Sequence, residues 1–159
     1  MHPDVRSIMT KKVFSVSLDS TVKDIAKFLS SHKISAAPVV NKAGKVLGVV
    51  SEGDLLKPFA SANRLQRDWW LGLLAEGGSL APVFLDYVNQ DHRTAADLMT
   101  QPPVTASETA SIPAVALLMI QNKVKRILIM DAGKLTGIIS RADIVMAISD
   151  SPELLNADT

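Results

Sequence analysis

Hydrophobic and polar residues follow one pattern along this chain, and the pattern is written twice. Val22, Ile25, Ala26 and Leu29 recur at helical spacing and predict one apolar helix face. Asp19-Ser20-Thr21 offers caps just before them, and Asp24, three residues after Thr21, makes a capping-box-like start. Val13 to Val16 reads as a short extended piece ahead of that helix. After it come an apolar strand at Pro38-Val39-Val40, a turn at Asn41-Lys42-Ala43-Gly44 and a second strand from Lys45 to Val50. A further helix starts near Glu52 and runs through Leu55 and Leu56. The order then repeats. Ser111 caps a helix with Pro113 in its first turn, where a missing N–H is harmless, and Ile112, Val115, Ala116 and Met119 form its apolar face. Ile127 to Met130 is a strand, Asp131-Ala132-Gly133 a turn, Leu135 to Ile139 a strand, and Arg141 to Ile148 the last helix.

Identities fall on the same grid. Met9-Thr10 matches Met99-Thr100, Ser17 matches Ser107, Ala26 matches Ala116 and Lys33 matches Lys123. One residue is then lost in the turn, after which Gly44-Lys45 matches Gly133-Lys134, Gly48 matches Gly137, Ser51 matches Ser140 and Asp54 matches Asp143. An indel confined to a turn and a shared hydrophobic pattern point to duplication. The expected fold is mixed α+β (or α/β): two β-α-β-β-α repeats packed as a pseudo-two-fold pair, because about 50 residues make a poor core alone. The boundaries read as 1–57, 58–92, 93–149 and a polar tail over 150–159.

Segment 58–92 has no counterpart and holds both tryptophans and the one tyrosine. Leu65, Trp69, Leu73 and Leu74 fit a helical face, Gly77-Gly78 breaks it, and Leu80 to Val88 suggests a second piece. Either the aromatics cover an edge of the pair, or an exposed member of Trp69-Trp70 anchors a second subunit or another protein.

Composition narrows the function classes. Seventeen Lys and Arg against sixteen Asp and Glu leave a net charge of +1, and aromatic content is 4%. Neither a broad basic field nor a stacking platform is there for nucleic acid. There is no cysteine, so disulfides, thiolate metal sites and a cysteine nucleophile are excluded. Histidines 2, 32 and 92 share no motif, and no zinc-protease, P-loop or nucleophile-elbow pattern occurs, so neither an enzyme nor a metal site is expected. Apolar runs such as Ile112 to Ile120 reach about nine residues, where a membrane span needs roughly 20. The reading is a soluble, cytoplasmic protein without a membrane partner.

Candidate chemistry sits in the two heptads, GVVSEGD at 48–54 and GIISRAD at 137–143. Each carries a strand end into a helix start, where backbone N–H groups and the positive dipole end favour phosphate. Ser140 adds a hydroxyl, Asp143 a carboxylate suited to a ribose diol, and Ser51 and Asp54 repeat them. The competing reading makes both serines plain helix caps. Arg141, Arg126 and Lys125 surround the second heptad, whereas the first has Glu52, and Ala36-Ala37 in place of Arg126-Ile127. The second heptad is therefore the better equipped to neutralise a phosphate.

With Met9-Thr10, Met99-Thr100, His32-Lys33-Ile34, Pro38-Val39-Val40 and the two G-h-h-S-x-x-D heptads, the chain resembles a tandem pair of CBS domains, the cystathionine β-synthase type of regulatory module. The resemblance covers residues 5–57 and 94–148. It implies two related clefts for AMP, ADP, ATP or S-adenosylmethionine, magnesium accompanying a bound nucleotide, and regulation of a partner protein. It implies phosphate at Ser51 and Ser140 and ribose at Asp54 and Asp143. It places adenine near Val13-Phe14 and Pro103-Val104, and against Ala37-Pro38 and Ile127-Leu128. It further implies a homodimer; a dimeric scaffold that binds no nucleotide is the alternative. The tryptophan insert resembles that of a bacterial subgroup in which a BON domain often follows the second repeat. Here the chain stops at residue 159, so output is expected through a partner.

Overall fold

Capping and burial decide the elements. In a computed structural model, residues 4–61 and 92–155 are described. The insert, with Trp69 and Trp70, and the end of the tail lie outside the described residues. In chain order the elements are β1 (Val16–Ser17), α1 (Val22–His32), β2 (Ala36–Val40), β3 (Val46–Ser51) and α2 (Glu52–Ser61). They continue with α3 (Ala95–Leu98), β4 (Thr105–Ser107), α4 (Ile112–Asn122), β5 (Arg126–Asp131), β6 (Lys134–Ser140) and α5 (Arg141–Asp150). Single 3-10 turns lie at Val5–Ser7 and Pro152–Leu155.

Helix α1 starts as its sequence predicts. The Thr21 hydroxyl accepts from the Asp24 N–H and the Asp24 carboxylate accepts from the Thr21 N–H, each at 3.2 Å. The bond from the Thr21 N–H, and then the Thr21 hydroxyl, hold the Asp24 carboxyl below its ordinary range. Ser111 caps α4 by accepting from Ala114. Both helices stop on a lysine in the left-handed region, Lys33 at φ 52° and Lys123 at φ 53°. The next residue then folds back, Ile34 donating to the Leu29 carbonyl and Val124 to that of Met119, each at 3.0 Å. Gly44 and Gly133 turn the two strand pairs at φ 81° and 79°. The duplication thus extends to backbone conformation.

Two three-stranded sheets result, ordered β1-β2-β3 and β4-β5-β6. β1 pairs parallel with β2 (Val16 opposite Val39) and β4 parallel with β5 (Thr105 opposite Leu128); each parallel pair is joined by its helix. β5 and β6 are antiparallel, with Arg126 opposite Ser140 and Ile127 opposite Ile139. The extended piece read over Val13 to Val16 pairs only at Val16, and the strand runs on to Ser17. Helix α3 is an addition, started by Thr94, whose N–H and hydroxyl both donate to Asp97. Its signature, Thr followed by Asp three residues on, stands in the sequence.

The chain divides into two compact units that are not consecutive. One holds Met1–Phe14, Lys45–Leu47 and Pro102–Thr159; the other holds Ser15–Gly44 and Gly48–Gln101. Val5, Ile112, Val115, Met119, Ile127, Ile129, Ile139 and Ile144 form the first core. Val16, Val22, Ile25, Leu29, Ala37, Val39, Val50, Ala95 and Leu98 form the second. Each sheet is thus completed by the segment that leads into the other copy. Thr10 exchanges two backbone hydrogen bonds with Ile138 (2.9 and 3.0 Å), and Thr100 exchanges two with Val49 (2.9 and 3.1 Å).

Candidate functional site

The heptad glycines make that docking possible. A Cβ on Gly48 would lie 2.7 Å from the Thr100 carbonyl oxygen and 2.8 Å from the Met99 sulfur. A Cβ on Gly137 would lie 2.9 Å from Met9 Cγ, with the Met9 sulfur closer still. Real Cβ contacts do not occur at such distances, so a side chain at 48 would clash with fixed backbone, and one at 137 would have to displace the flexible Met9 side chain. Sequence reasoning missed this role for Met9-Thr10 and Met99-Thr100. The signal was present, because both leaders and both glycines are repeated.

Two residues on, each heptad turns from strand into helix. At Ser140 the backbone N–H donates to Asp143 Oδ2 at 2.8 Å, and the hydroxyl accepts from the Asp143 N–H at 3.2 Å. At Ser51 the N–H donates to Asp54 Oδ2 at 2.8 Å and the hydroxyl accepts from the Asp54 N–H at 3.4 Å. Both pairs are therefore capping boxes.

They differ in what remains available. The Ser51 hydroxyl also donates to Asp54 Oδ2 at 3.1 Å, and Asp54 is only 4% exposed. Asp143 is half-buried. Among the described residues its Oδ1 makes no hydrogen bond, and the Ser140 hydroxyl hydrogen is donated to nothing. The second box presents a carboxylate oxygen and a hydroxyl donor, whereas the first turns its hydroxyl inward.

Register sets three basic residues at the end of β5 and β6 that carries the second box. Arg126 lies directly opposite Ser140 across the β5–β6 ladder, and the Arg141 N–H donates to the Lys125 carbonyl at 3.0 Å. Arg126 is half-buried; Lys125 and Arg141 are exposed. On the other edge of β5 the Leu128 N–H donates to the Val104 carbonyl at 3.1 Å, which brings half-buried Pro103 and Val104 to that strand. This bond engages both groups with each other. The Ile127 side chain is wholly buried. Pro103, Val104, Arg126, Ile127, Ser140, Arg141 and Asp143 thus all belong to one compact unit.

The residues read for the first cleft are divided. Ala37, Pro38, Ser51 and Asp54 stand in one unit, with Ala37 and Pro38 fully buried. Val13 and Phe14 stand in the other, where the Lys12 ammonium lies 5.5 Å from the Phe14 ring centre. Among the described residues no group of acidic or histidine side chains is placed to hold a metal ion. Among them, too, no helix is long and apolar enough to cross a membrane.

The CBS domain family model matches residues 5–61 and 95–150, the stretches that contain both boxes and both leaders. The chain belongs to the CBS domain family. An uncharacterized protein of Methanocaldococcus jannaschii is 29% identical over 163 residues, covering 91% of this chain and 90% of its own length. The chloroplastic CBS domain-containing protein CBSX2 of Arabidopsis thaliana is 29% identical over 137 residues, which are 83% of this chain and 57% of that relative. The crystal structure of CBSX2 in complex with AMP is similar at a TM-score of 0.66 and 28% identity, covering 92% of this chain and 96% of that one. That of the CBS domain of a CBS domain containing membrane protein from Sphaerobacter thermophilus is similar at a TM-score of 0.69 and 28% identity, covering 91% and 87%. This chain shares the mixed α+β fold of paired CBS repeats with both solved structures.

Proposed function

We propose that this CBS pair is a non-catalytic regulatory module that binds an adenosine-type ligand at the Ser140–Asp143 box and signals to a partner protein. The carrying observation is the Asp143 Oδ1, which makes no hydrogen bond among the described residues, on a box whose Ser140 lies opposite Arg126 in the ladder and is followed by Arg141. A carboxylate oxygen accepts from a ribose hydroxyl. Guanidinium groups, a hydroxyl donor and a helix N-terminus together favour phosphate. The AMP complex of CBSX2 supports the same ligand class. ATP, ADP and S-adenosylmethionine share the adenosyl group, and magnesium would accompany the polyphosphates.

Melting curves with AMP, ADP, ATP, S-adenosylmethionine and GTP, with and without magnesium, test this reading. A ligand at about 100 times its Kd adds roughly 2.7 kcal/mol, a rise of about 5–10 °C for a chain of this size. Asp143→Asn keeps an acceptor for the Ser140 N–H but replaces the charge. Its AMP affinity should fall about 10- to 100-fold, the worth of a hydrogen bond to a charged group, with little change in the unliganded melting temperature. Unchanged affinity in calorimetry would remove Asp143 from the site.

A second reading has its own observation. Leu117 and Ile120 on α4, and Val145, Met146 and Ile148 on α5, are all exposed, Ile120 at 74%. Such a face fits association with a second copy, so a dimeric scaffold that binds no nucleotide is the alternative. It predicts a dimer in sedimentation equilibrium that Ile120→Asp disrupts, together with flat melting temperatures for every nucleotide.

A further inference from the structure

We propose that Met9 is an oxidation site that works as a latch. A peroxide converts its thioether to the sulfoxide, which does not stay seated on Gly137, and the Thr10 end of the N-terminal leader lifts from the edge of β6.

The chain has no cysteine, so reversible sulfur oxidation falls to its methionines. They are not equivalent. Met119 is only 4% exposed in the core, and Met146 is 63% exposed on α5, where an added oxygen meets solvent. Met9 is half-buried, next to exposed Thr10, Lys11 and Lys12, within reach of a small oxidant. Its side chain packs against the core that contains Val5, Ile112 and Ile139. Its sulfur, Cγ and Cε are the three atoms nearest to the space that a Gly137 Cβ would take. At Gly48 a backbone oxygen, that of Thr100, comes nearest, so Met99 fills its seat only in part. The Met9 seat is thus made by the thioether side chain, and it lies wholly within one compact unit.

In the reaction the sulfur lone pair attacks one oxygen of hydrogen peroxide. The S–O bond forms as the O–O bond breaks, and the departing hydroxide takes the proton from the S–OH group and leaves as water. Sulfur is oxidised and the peroxide reduced. The product is polar and larger, in a contact closed by Gly137 on one side and apolar core on the other. The leader is pinned at two points. The Val5 N–H donates to the Ala110 carbonyl at 3.0 Å and its side chain is wholly buried, while Thr10 exchanges two bonds with Ile138. Met9 adjoins the second point, so the sulfoxide releases the Thr10 end and leaves the Val5 end in place. Ile138 stands two residues before Ser140, so the strand that loosens is the one that ends in the second box. Methionine sulfoxide reductases reverse the change.

Hydrogen exchange of the Thr10 and Ile138 amides reports the latch, since each donates to the other residue. The full chain is treated with hydrogen peroxide, oxygen at each methionine is followed by peptide mass mapping, and amide exchange is read by NMR. Exchange at Thr10 and Ile138 should rise about fivefold or more, the rate equivalent of the least cost of an unpaired polar group in an apolar contact. The rise should keep step with oxidation of Met9 and leave Val5 unchanged, and sulfoxide reductases should undo it. Met9→Leu keeps an apolar chain without the thioether, and its Thr10 and Ile138 amides should not respond to peroxide. Met9→Gln, polar and inert to peroxide, should exchange fast from the start, whereas Met146→Leu should keep the full response. Met9 still reduced when Met146 is fully oxidised would overturn the proposal. So would an oxidised Met9 with unchanged exchange, or a response that survives in Met9→Leu. Equal acceleration at Val5 would mean that oxidation unfolds the unit instead of opening a latch, and would overturn it too.

Discussion

Replacing Gly48 with alanine should destabilise the protein by about 2–3 kcal/mol, the upper part of the overpacking range, and replacing Gly137 should cost roughly 1 kcal/mol or less. The two positions are equivalent in sequence, so the difference is a structural prediction. A methyl group at 48 meets the Thr100 carbonyl at 2.7 Å, and that carbonyl is backbone, fixed by its hydrogen bond from Val49. The nearest atoms to a methyl group at 137 all belong to the Met9 side chain, which has three rotatable bonds and can swing away. Urea denaturation of the two variants measures the difference. Equal and small losses would mean that the leaders do not seat on the glycines.

Asp54→Ala should cost about 2–4 kcal/mol, lowering the melting temperature by roughly 5–15 °C, while Asp143→Ala should cost only about 1 kcal/mol. Removing Asp54 strands the Ser51 N–H and hydroxyl at a site that is 4% exposed, where water does not replace the lost acceptor. Removing Asp143 takes away a cap from a half-exposed helix start, where solvent supplies part of the loss. AMP affinity should move the other way: it falls steeply in Asp143→Ala, and in Asp54→Ala it stays within about threefold at temperatures where that variant is folded. A matched pair of stability losses would show that the boxes are equivalent and would remove the physical basis for assigning them different roles.

Local chemistry was legible in the sequence. Thr21 with Asp24, Ser111 with Pro113 and Ser140 with Asp143 are start signals whose bonds close within three residues, so no distant contact is needed to form them. The helix faces of Val22, Ile25 and Leu29, and of Ile112, Val115 and Met119, follow from 3.6-residue periodicity, and each of these residues is buried. The hairpin turns follow from Gly44 and Gly133, which accept positive φ without a Cβ penalty. The family resemblance rests on the same local motifs.

Pairing partners were decided only by the tertiary structure. Repetition said that Met9-Thr10 and Gly48 belong to one copy, and Met99-Thr100 and Gly137 to the other. In space the leaders are exchanged, because a backbone bridge needs a complementary edge and a glycine-sized gap, and both copies present the same ones. The inequality of the two boxes is likewise absent from the letters Ser and Asp. It depends on whether a hydroxyl hydrogen turns inward and whether the carboxylate meets solvent, at Ser51 and Asp54 in one case and at Ser140 and Asp143 in the other. Sequence by itself determined which elements form and that they form twice, since those choices are made within a few residues. Tertiary structure decided which leader seats on which sheet and which carboxylate keeps an oxygen available, since burial and exchange of edges are properties of the packed chain.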